Sequence, residues 1–143
     1  MPDHYYLLDT NTVSYVIKGT FPRVRARLAK LPIAQVAISV VTEAELRFGV
    51  ARRPEAKQLR IAVEEFLLRV TVLPWDSRAA VEYGDLRAAL ERAGTPIGNL
   101  DLMIAAQALE KRASEQAKEI EALKTENAAL SARLEALERA VGR

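Results

Sequence analysis

Short apolar runs alternate with longer segments of helical periodicity over most of the chain. Residues 5–8, 36–38 and 70–73 are runs of apolar and β-forming side chains of strand length. The segments between these runs place apolar residues at helical spacing, as Leu59, Val63 and Phe66 illustrate. Parallel strands need crossover connections, which are usually helices, so the alternation predicts an α/β fold with a parallel sheet.

Residues that start or stop helices lie between these runs. Gly19 and Gly94 are typical of helix C-termini, and Pro22 suits the first turn of a helix. Asp76 or Ser77 is placed to cap the helix that follows the third predicted strand. We therefore expect helices to flank the sheet.

The last helix is predicted to begin between Asn99 and Asp101 and to continue to Gly142, because no Gly or Pro interrupts it. At about 1.5 Å per residue, about forty residues reach on the order of 60 Å, which is more than a small domain can cover. The helix must therefore leave the domain. We divide the chain into a domain of residues 1–109 and an extension of residues 110–143.

The extension carries a heptad repeat of apolar residues. One heptad position holds Ile120, Asn127, Leu134 and Val141, and the other apolar position holds Leu123, Leu130 and Leu137. The repeat predicts a two-stranded coiled coil, because a lone helix would leave this seam exposed. Asn127 favours a parallel homodimer in register, in which Glu119 would pair with Lys124 and Arg133 with Glu138.

Composition narrows the classes of function. The chain has no cysteine, which excludes disulfides and thiolate metal sites, and its single histidine is His4. No segment resembles a signal peptide or is apolar for long enough to cross a membrane, so we expect a soluble, cytoplasmic protein. Residues 18–60 contain ten Lys or Arg against three Glu. This excess suits a polyanionic substrate, although a solvated surface is the commoner cause of such runs.

Three acidic residues lie at predicted element junctions. Asp9 follows the first strand, Glu45 lies in the helix after the second, and Asp101 opens the last helix. Ligands bind at the carboxyl edge of an open parallel sheet, so we expect these carboxylates to converge there. Carboxylates without Cys or His partners suit Mg²⁺ or Mn²⁺. Each acid also has a structural alternative: Asp9 as a helix cap, Glu45 in a capping box begun by Thr42, and Asp101 at a favourable helix N-terminus.

Three segments together resemble the PIN-domain ribonucleases, specifically the VapC-type toxins of toxin-antitoxin systems. They are Leu8-Asp9-Thr10-Asn11, Thr42-Glu43-Ala44-Glu45-Leu46-Arg47-Phe48-Gly49, and the segment Thr-Pro-Ile-Gly-Asn-Leu-Asp-Leu-Met-Ile-Ala-Ala at residues 95–106. Their order and spacing make the resemblance specific, and it covers residues 1–109. It implies a PIN-like, Rossmann-like parallel sheet with the second strand central.

The resemblance also implies a function. VapC-type toxins are Mg²⁺-dependent endoribonucleases, are inhibited by a VapB-type antitoxin and are often dimeric. The form of the third motif resembles members that cut initiator tRNA. By motif position, the residues carried over are Asp9, Glu45 and Asp101 as catalytic and metal-binding acids, Thr10 and Asn11 as supporting groups, and Glu43 as a less favoured substitute for Glu45. The implied chemistry is two-metal hydrolysis of RNA phosphodiester bonds with Mg²⁺ or Mn²⁺.

Two departures accompany the resemblance. Family members continue past this helix into a fourth strand that bears a further acidic or amide position, and then into a fifth strand. Here the coiled-coil pattern follows instead, so we expect a sheet truncated to three strands. Gln107 stands where many relatives have His. The alternative function is therefore a catalytically inactive PIN domain that serves as a coiled-coil dimerising interaction module.

Overall fold

The sheet is parallel and has its second strand in the centre. A computed structural model of the chain describes residues 5–142, a range that excludes His4. Its strands are β1 (Tyr6–Leu8), β2 (Val36–Ser39) and β3 (Thr71–Leu73). Both neighbouring pairs run parallel in the order β1-β2-β3. The predicted parallel sheet and its strand order are confirmed.

Helices separate the strands. Helices α1 (Thr10–Lys18) and α2 (Pro22–Leu28) follow β1, and a 3₁₀ helix (Ile33–Gln35) leads into β2. Helices α3 (Val40–Ala51) and α4 (Lys57–Arg69) follow β2, and helices α5 (Ser77–Arg92) and α6 (Asn99–Val141) follow β3. The predicted mixed α/β class with a long C-terminal helix is confirmed. Within residues 5–142, no helix is both long enough and apolar enough to cross a membrane.

The core is centred on β2, whose four residues are all buried. The fully buried Ile38 packs in one cluster with side chains from β1, α1, α3 and α4, namely Leu8, Val13, Leu46 and Val63. Burying one such side chain is worth about 1.5 to 3 kcal/mol. The central strand of a parallel sheet is covered on both faces, which explains why the sequence of β2 is apolar without alternation.

Side-chain caps fix where the helices begin. The Asp76 carboxylate accepts hydrogen bonds from the amides of Arg78 and Ala79 at the start of α5, as predicted. The Ser39 hydroxyl accepts a hydrogen bond from the amide of Val41, so α3 begins before Thr42. The capping box that the sequence suggested at Thr42 is therefore wrong, because Thr42 is a fully buried residue inside the first turns of α3.

Hydrogen bonds of the Trp75 and Gln107 side chains join the first turns of α6 to the end of β3 and the segment that follows it. Trp75 Nε1 donates to the carbonyl of Met103 at 3.1 Å. Gln107 Nε2 donates to the carbonyl of Pro74 at 2.7 Å, and the side chain of Gln107 is fully buried. The beginning of α6 therefore lies beside the carboxyl end of β3, although α5 intervenes in the sequence.

The chain divides into two compact units, Met1–Glu110 and Lys111–Arg143. The second unit is the continuation of α6, which is 43 residues long and unbroken to Val141. The apolar heptad residues of this unit, Ile120, Leu123, Leu130, Leu134, Leu137 and Val141, are between 50% and 85% exposed in the single chain. The helix predicted for this segment is thus present, and it presents its apolar seam to solvent.

Candidate active site

Asp9 lies directly after β1 and caps α1. Its Oδ1 accepts a hydrogen bond of 2.7 Å from the amide of Thr12, and the residue is exposed. Asp9 therefore caps α1, which is the structural alternative that the sequence analysis gave for this residue. A carboxylate offers about four lone-pair positions, so one amide bond leaves Asp9 able to bind a cation as well. The two roles of Asp9 are compatible.

A hydrogen bond from the Thr10 hydroxyl to the Glu45 carboxylate joins α1 to α3. Both residues are half-buried and lie 35 positions apart in sequence. Glu43 behaves differently, because its carboxylate pairs with Arg47 one turn later, with Nη2 and Oε1 at 2.7 Å. Of the two glutamates of the second motif, Glu45 is the one that lies beside the end of β1.

Asp101 and Asn11 are both exposed and lie at the beginnings of their helices. Asp101 lies in the first turn of α6. Because α5 lies between β3 and α6, Asp101 does not lie at a strand-to-helix junction, unlike Asp9 and the start of α3. The hydrogen bonds of Met103 and Gln107 hold the turns of α6 that follow Asp101 beside the end of β3.

The donor atoms of these residues are of the element that a hard divalent cation prefers. Asp9, Glu45, Asp101 and the hydroxyl of Thr10 offer only oxygen, which Mg²⁺ and Mn²⁺ prefer. Over residues 5–142, however, no group of three or more His, Cys, Asp or Glu side chains is assembled closely enough to hold a metal ion. The convergence of all three acids stays a prediction.

A pocket of about 200 Å³ adjoins the Thr10–Glu45 pair, and we call it the α3 pocket. It is bounded by residues of α1, α3 and α4 and by Arg52 and Arg53, which follow α3. Sequence reasoning did not find this pocket, since its walls come from three helices whose packing no local pattern specifies. The basic excess of residues 18–60 was the only signal, because Lys18, Arg52 and Arg53 all line it.

A parallel sheet of three strands with flanking helices and an acidic residue after β1 defines a PIN-like α/β domain. The family model described as "PIN domain" matches residues 6–133. The chain belongs to the PIN-domain family, and its homologues include VapC ribonucleases.

Similar proteins are known in sequence and in structure. The tRNA(fMet)-specific endonuclease VapC of Salmonella typhimurium is 38% identical over 103 residues, which are 72% of this chain and 77% of that protein. The DNA-bound VapBC structure from the same species has 36% identity and a TM-score of 0.69, covering 76% of this chain and 81% of that one. VapBC2 from Rickettsia felis, bound to a DNA fragment from its promoter, has 32% identity, the same TM-score and coverage of 76% and 83%.

Proposed function

We propose that this protein is a VapC-type toxin that hydrolyses phosphodiester bonds of RNA, with tRNA as the substrate class. The observation that carries the proposal is its 38% identity to a tRNA(fMet)-specific endonuclease over 103 residues. The range that matches the PIN-domain model, residues 6–133, includes Asp9, the Thr10–Glu45 pair and Asp101. The exposed position of Asp9 and Asp101 beside open solvent supports it, because a polymeric substrate must reach the acids from outside.

Asp9, Glu45 and Asp101 would hold Mg²⁺ or Mn²⁺ in this proposal. An ion held there would supply Lewis-acid chemistry, namely a more nucleophilic water and compensation of the negative charge that develops on the phosphate and the leaving oxygen. In the hydrolysis, water would attack phosphorus and lose a proton, the bond from phosphorus to the leaving ribose oxygen would break, and that oxygen would take up a proton. Thr10 would orient the Glu45 carboxylate through its hydroxyl hydrogen bond, and Asn11 would contribute a polar group at the start of α1.

The test is cleavage of initiator tRNA by the purified protein in Mg²⁺, in Mn²⁺ and in EDTA. Cleavage that requires the metal and is lost in Glu45→Gln, but not in Glu43→Gln, supports the proposal. Glu43→Gln is the matched control, because it lies in the same helix and its carboxylate is paired with Arg47. Failure of the wild type to cut any RNA would favour the inactive interaction module. One observation favours this inactive module: within residues 5–142, no three acids are assembled closely enough to hold a metal ion.

A VapB-type antitoxin is the proposed protein partner. The solved structures similar to this chain include VapBC complexes from three species, which are assemblies of toxin and antitoxin. Co-expression with a VapB protein should relieve the growth arrest that the active toxin causes, and the two proteins should co-purify. Persistent growth arrest with a VapB that does co-purify would contradict inhibition by this partner.

We also propose that the protein is a homodimer held by a parallel coiled coil, in addition to any contact between PIN domains. The apolar seam of the second unit is at least half exposed in one chain, and a second copy would cover it. Within the single helix, Lys124 Nζ lies 3.8 Å from the Glu121 carboxylate. Both are exposed, so this weak pair can be exchanged for the predicted pairing of Lys124 with the Glu119 carboxylate of a second copy.

Asn127 decides the orientation of this dimer. In a parallel, in-register pair the same heptad positions meet, so the Asn127 amide faces an identical amide that can accept its hydrogen bond. In an antiparallel pair that position would face a leucine of the other heptad position, which leaves a buried amide without a partner. An unpaired buried polar group costs about 1 to 3 kcal/mol, so the parallel arrangement is favoured.

A further inference from the structure

The α3 pocket combines an apolar lining with a cationic one. Leu46 and Val63 belong to the buried core, and Val50 and Leu59 are half-buried beside them. Lys18, Arg52 and Arg53 also line the pocket and are exposed. An apolar surface with three cations next to it suits a ligand that has a ring and an anionic group close together.

The volume restricts what can enter. Pockets that enclose a drug-sized ligand have about 300 to 1,000 Å³. At about 200 Å³, the α3 pocket admits one ring-sized group but not a whole dinucleotide. Any remaining part of the ligand must lie along the exposed rim, where the cations are.

The structure fixes the backbone that carries two of the cations and places the guanidinium of one of them, Arg52. The amides of Arg52 and Arg53 bond to the carbonyls of Phe48 and Val50, which fixes the backbone at the end of α3. The Arg52 guanidinium lies 5.5 Å from the centre of the Phe48 ring, and Phe48 is 61% exposed. Stacking of this kind restrains the arginine while its N–H groups remain available to an anion.

We propose that the α3 pocket binds one unpaired nucleotide of the RNA substrate next to the bond that is cut. The base lies against Val50 and Leu59, and the phosphate beside it contacts the side chains of Lys18, Arg52 and Arg53. Proteins that recognise RNA by sequence commonly bind unstacked bases of single-stranded segments in this way. The Thr10–Glu45 pair lines the same pocket, which puts the nucleotide beside Glu45, one of the three proposed catalytic acids. This inference rests on the proposed ribonuclease function.

A simpler role for the arginines follows from the helix dipole. Cations at the C-terminus of a helix stabilise it through this dipole, and Arg52 and Arg53 directly follow α3. That role predicts a change in stability when they are replaced but no change in affinity for RNA. The experiment must therefore measure binding and stability separately.

Filling the pocket is the decisive change, and Gly49 is the position for it. Gly49 lies in α3 and lines the pocket, and a Cβ added there meets no atom within 4 Å. We expect the longer side chain of Gly49→Leu to extend from this open Cβ position into the pocket, and leucine favours the helix more than glycine does. Gly84→Leu is the matched control, because Gly84 also lies inside a helix with open space around its Cβ but does not line the pocket.

Binding of a fluorescently labelled single-stranded RNA to the full-length protein is measured in EDTA, so that cleavage does not interfere. Gly49→Leu should weaken binding by about tenfold, the effect expected when one base can no longer enter its site, and Gly84→Leu should leave it unchanged. An RNA with a single abasic position that weakens wild-type binding should weaken Gly49→Leu binding no further. Equal affinity of the wild type and Gly49→Leu for the RNA would overturn the proposal. A peptide partner would then be the remaining candidate ligand of the pocket.

A second measurement covers the phosphate. The triple variant Lys18→Gln/Arg52→Gln/Arg53→Gln removes every cation proposed to contact the phosphate, so it should reduce the slope of log affinity against log salt by about 0.7, the value for one phosphate of a single strand. Arg92→Gln, an exposed cation at the end of α5, should leave the slope unchanged. An unchanged slope in the triple variant would overturn the binding of the phosphate by these cations. Neither assay needs catalysis, so failure of the subsite and failure of the ribonuclease function are distinguishable. If the wild type cuts RNA and Gly49→Leu binds RNA as tightly as the wild type, only the subsite is refuted.

Discussion

Asp9 illustrates how one side chain serves the fold and the proposed chemistry together. Its carboxylate caps α1 through the amide of Thr12, while its position after β1 exposes it at the sheet edge. Asparagine caps a helix about as well as aspartate, but it carries no charge. Substitution of Asp9 can therefore separate the two roles.

We predict that Asp9→Asn abolishes metal-dependent RNA cleavage and changes the free energy of unfolding by no more than a few tenths of a kcal/mol. Asp9→Ala should also abolish cleavage, but it should cost about 0.5 to 2 kcal/mol because the cap is removed. Cleavage assays and urea unfolding of the three proteins provide the measurement. An Asp9→Asn protein that cuts RNA at the wild-type rate would contradict the assignment of Asp9 as a metal ligand.

Gln107 is a structural residue that the sequence did not reveal as such. It is fully buried, and its Nε2 donates to the carbonyl of Pro74, with the carbonyl of Leu73 at a longer 3.4 Å. We predict that Gln107→Leu lowers the free energy of unfolding by about 0.5 to 1.5 kcal/mol, because the carbonyls of Pro74 and Leu73 lose the donor that attaches α6 to them. Gln58→Leu, at an exposed position of α4, is the control and should have little effect. Equal unfolding midpoints in urea for both variants would rule out this role.

At the scale of the element, α6 carries the clearest prediction. Asn127→Val should raise the temperature at which the dimeric helix melts, by roughly 5 °C for each kcal/mol recovered, because a buried amide is replaced by an apolar side chain. It should also allow trimers or mixed registers to form. Circular dichroism and analytical ultracentrifugation measure the two effects.

Thr125→Val is the control for that change. Thr125 lies outside the seam, where its hydroxyl donates to the carbonyl of Glu121 within the same helix. It should leave the oligomeric state unchanged. Monomeric wild-type protein at micromolar concentration, or cross-links that join opposite ends of two helices, would contradict the parallel coiled coil.

Elements with strong local signals were predictable, and their mutual packing was not. The period of apolar residues and the lack of Gly or Pro determined the extent of α6, and the stop signals at Gly19 and Gly94 correspond to left-handed backbone at φ 67° and 69°. The start of α3 was ambiguous, because Ser39 and Thr42 are both cap residues and only packing selects Ser39. The Thr10–Glu45 hydrogen bond joins residues of different helices, and no periodicity within either helix specifies such a contact.

For the whole molecule, we predict that catalysis and dimerisation respond independently to removal of the metal. EDTA should stop RNA cleavage while the sedimentation coefficient stays that of the dimer, because the acids lie in the first unit and the apolar seam in the second. Adding Mg²⁺ back should restore cleavage. The comparison requires sedimentation and cleavage assays on the same sample, and dissociation of the dimer by EDTA would show that metal binding supports the assembly.

The attachment of the first turns of α6 to the chain after β3 affects how the rest of that helix forms. Starting an isolated helix is unfavourable, with a nucleation parameter near 10⁻³, whereas adding a residue to an existing helix is close to neutral. Trp75 and Gln107 hold the first turns of α6 in helical form whenever the preceding fold is intact. The later turns therefore need only propagation, and helix content should survive dilution of the dimer. Amide hydrogen exchange in dilute protein should then show protection that declines steadily from Met103 towards Val141, as in a helix that frays from one end only.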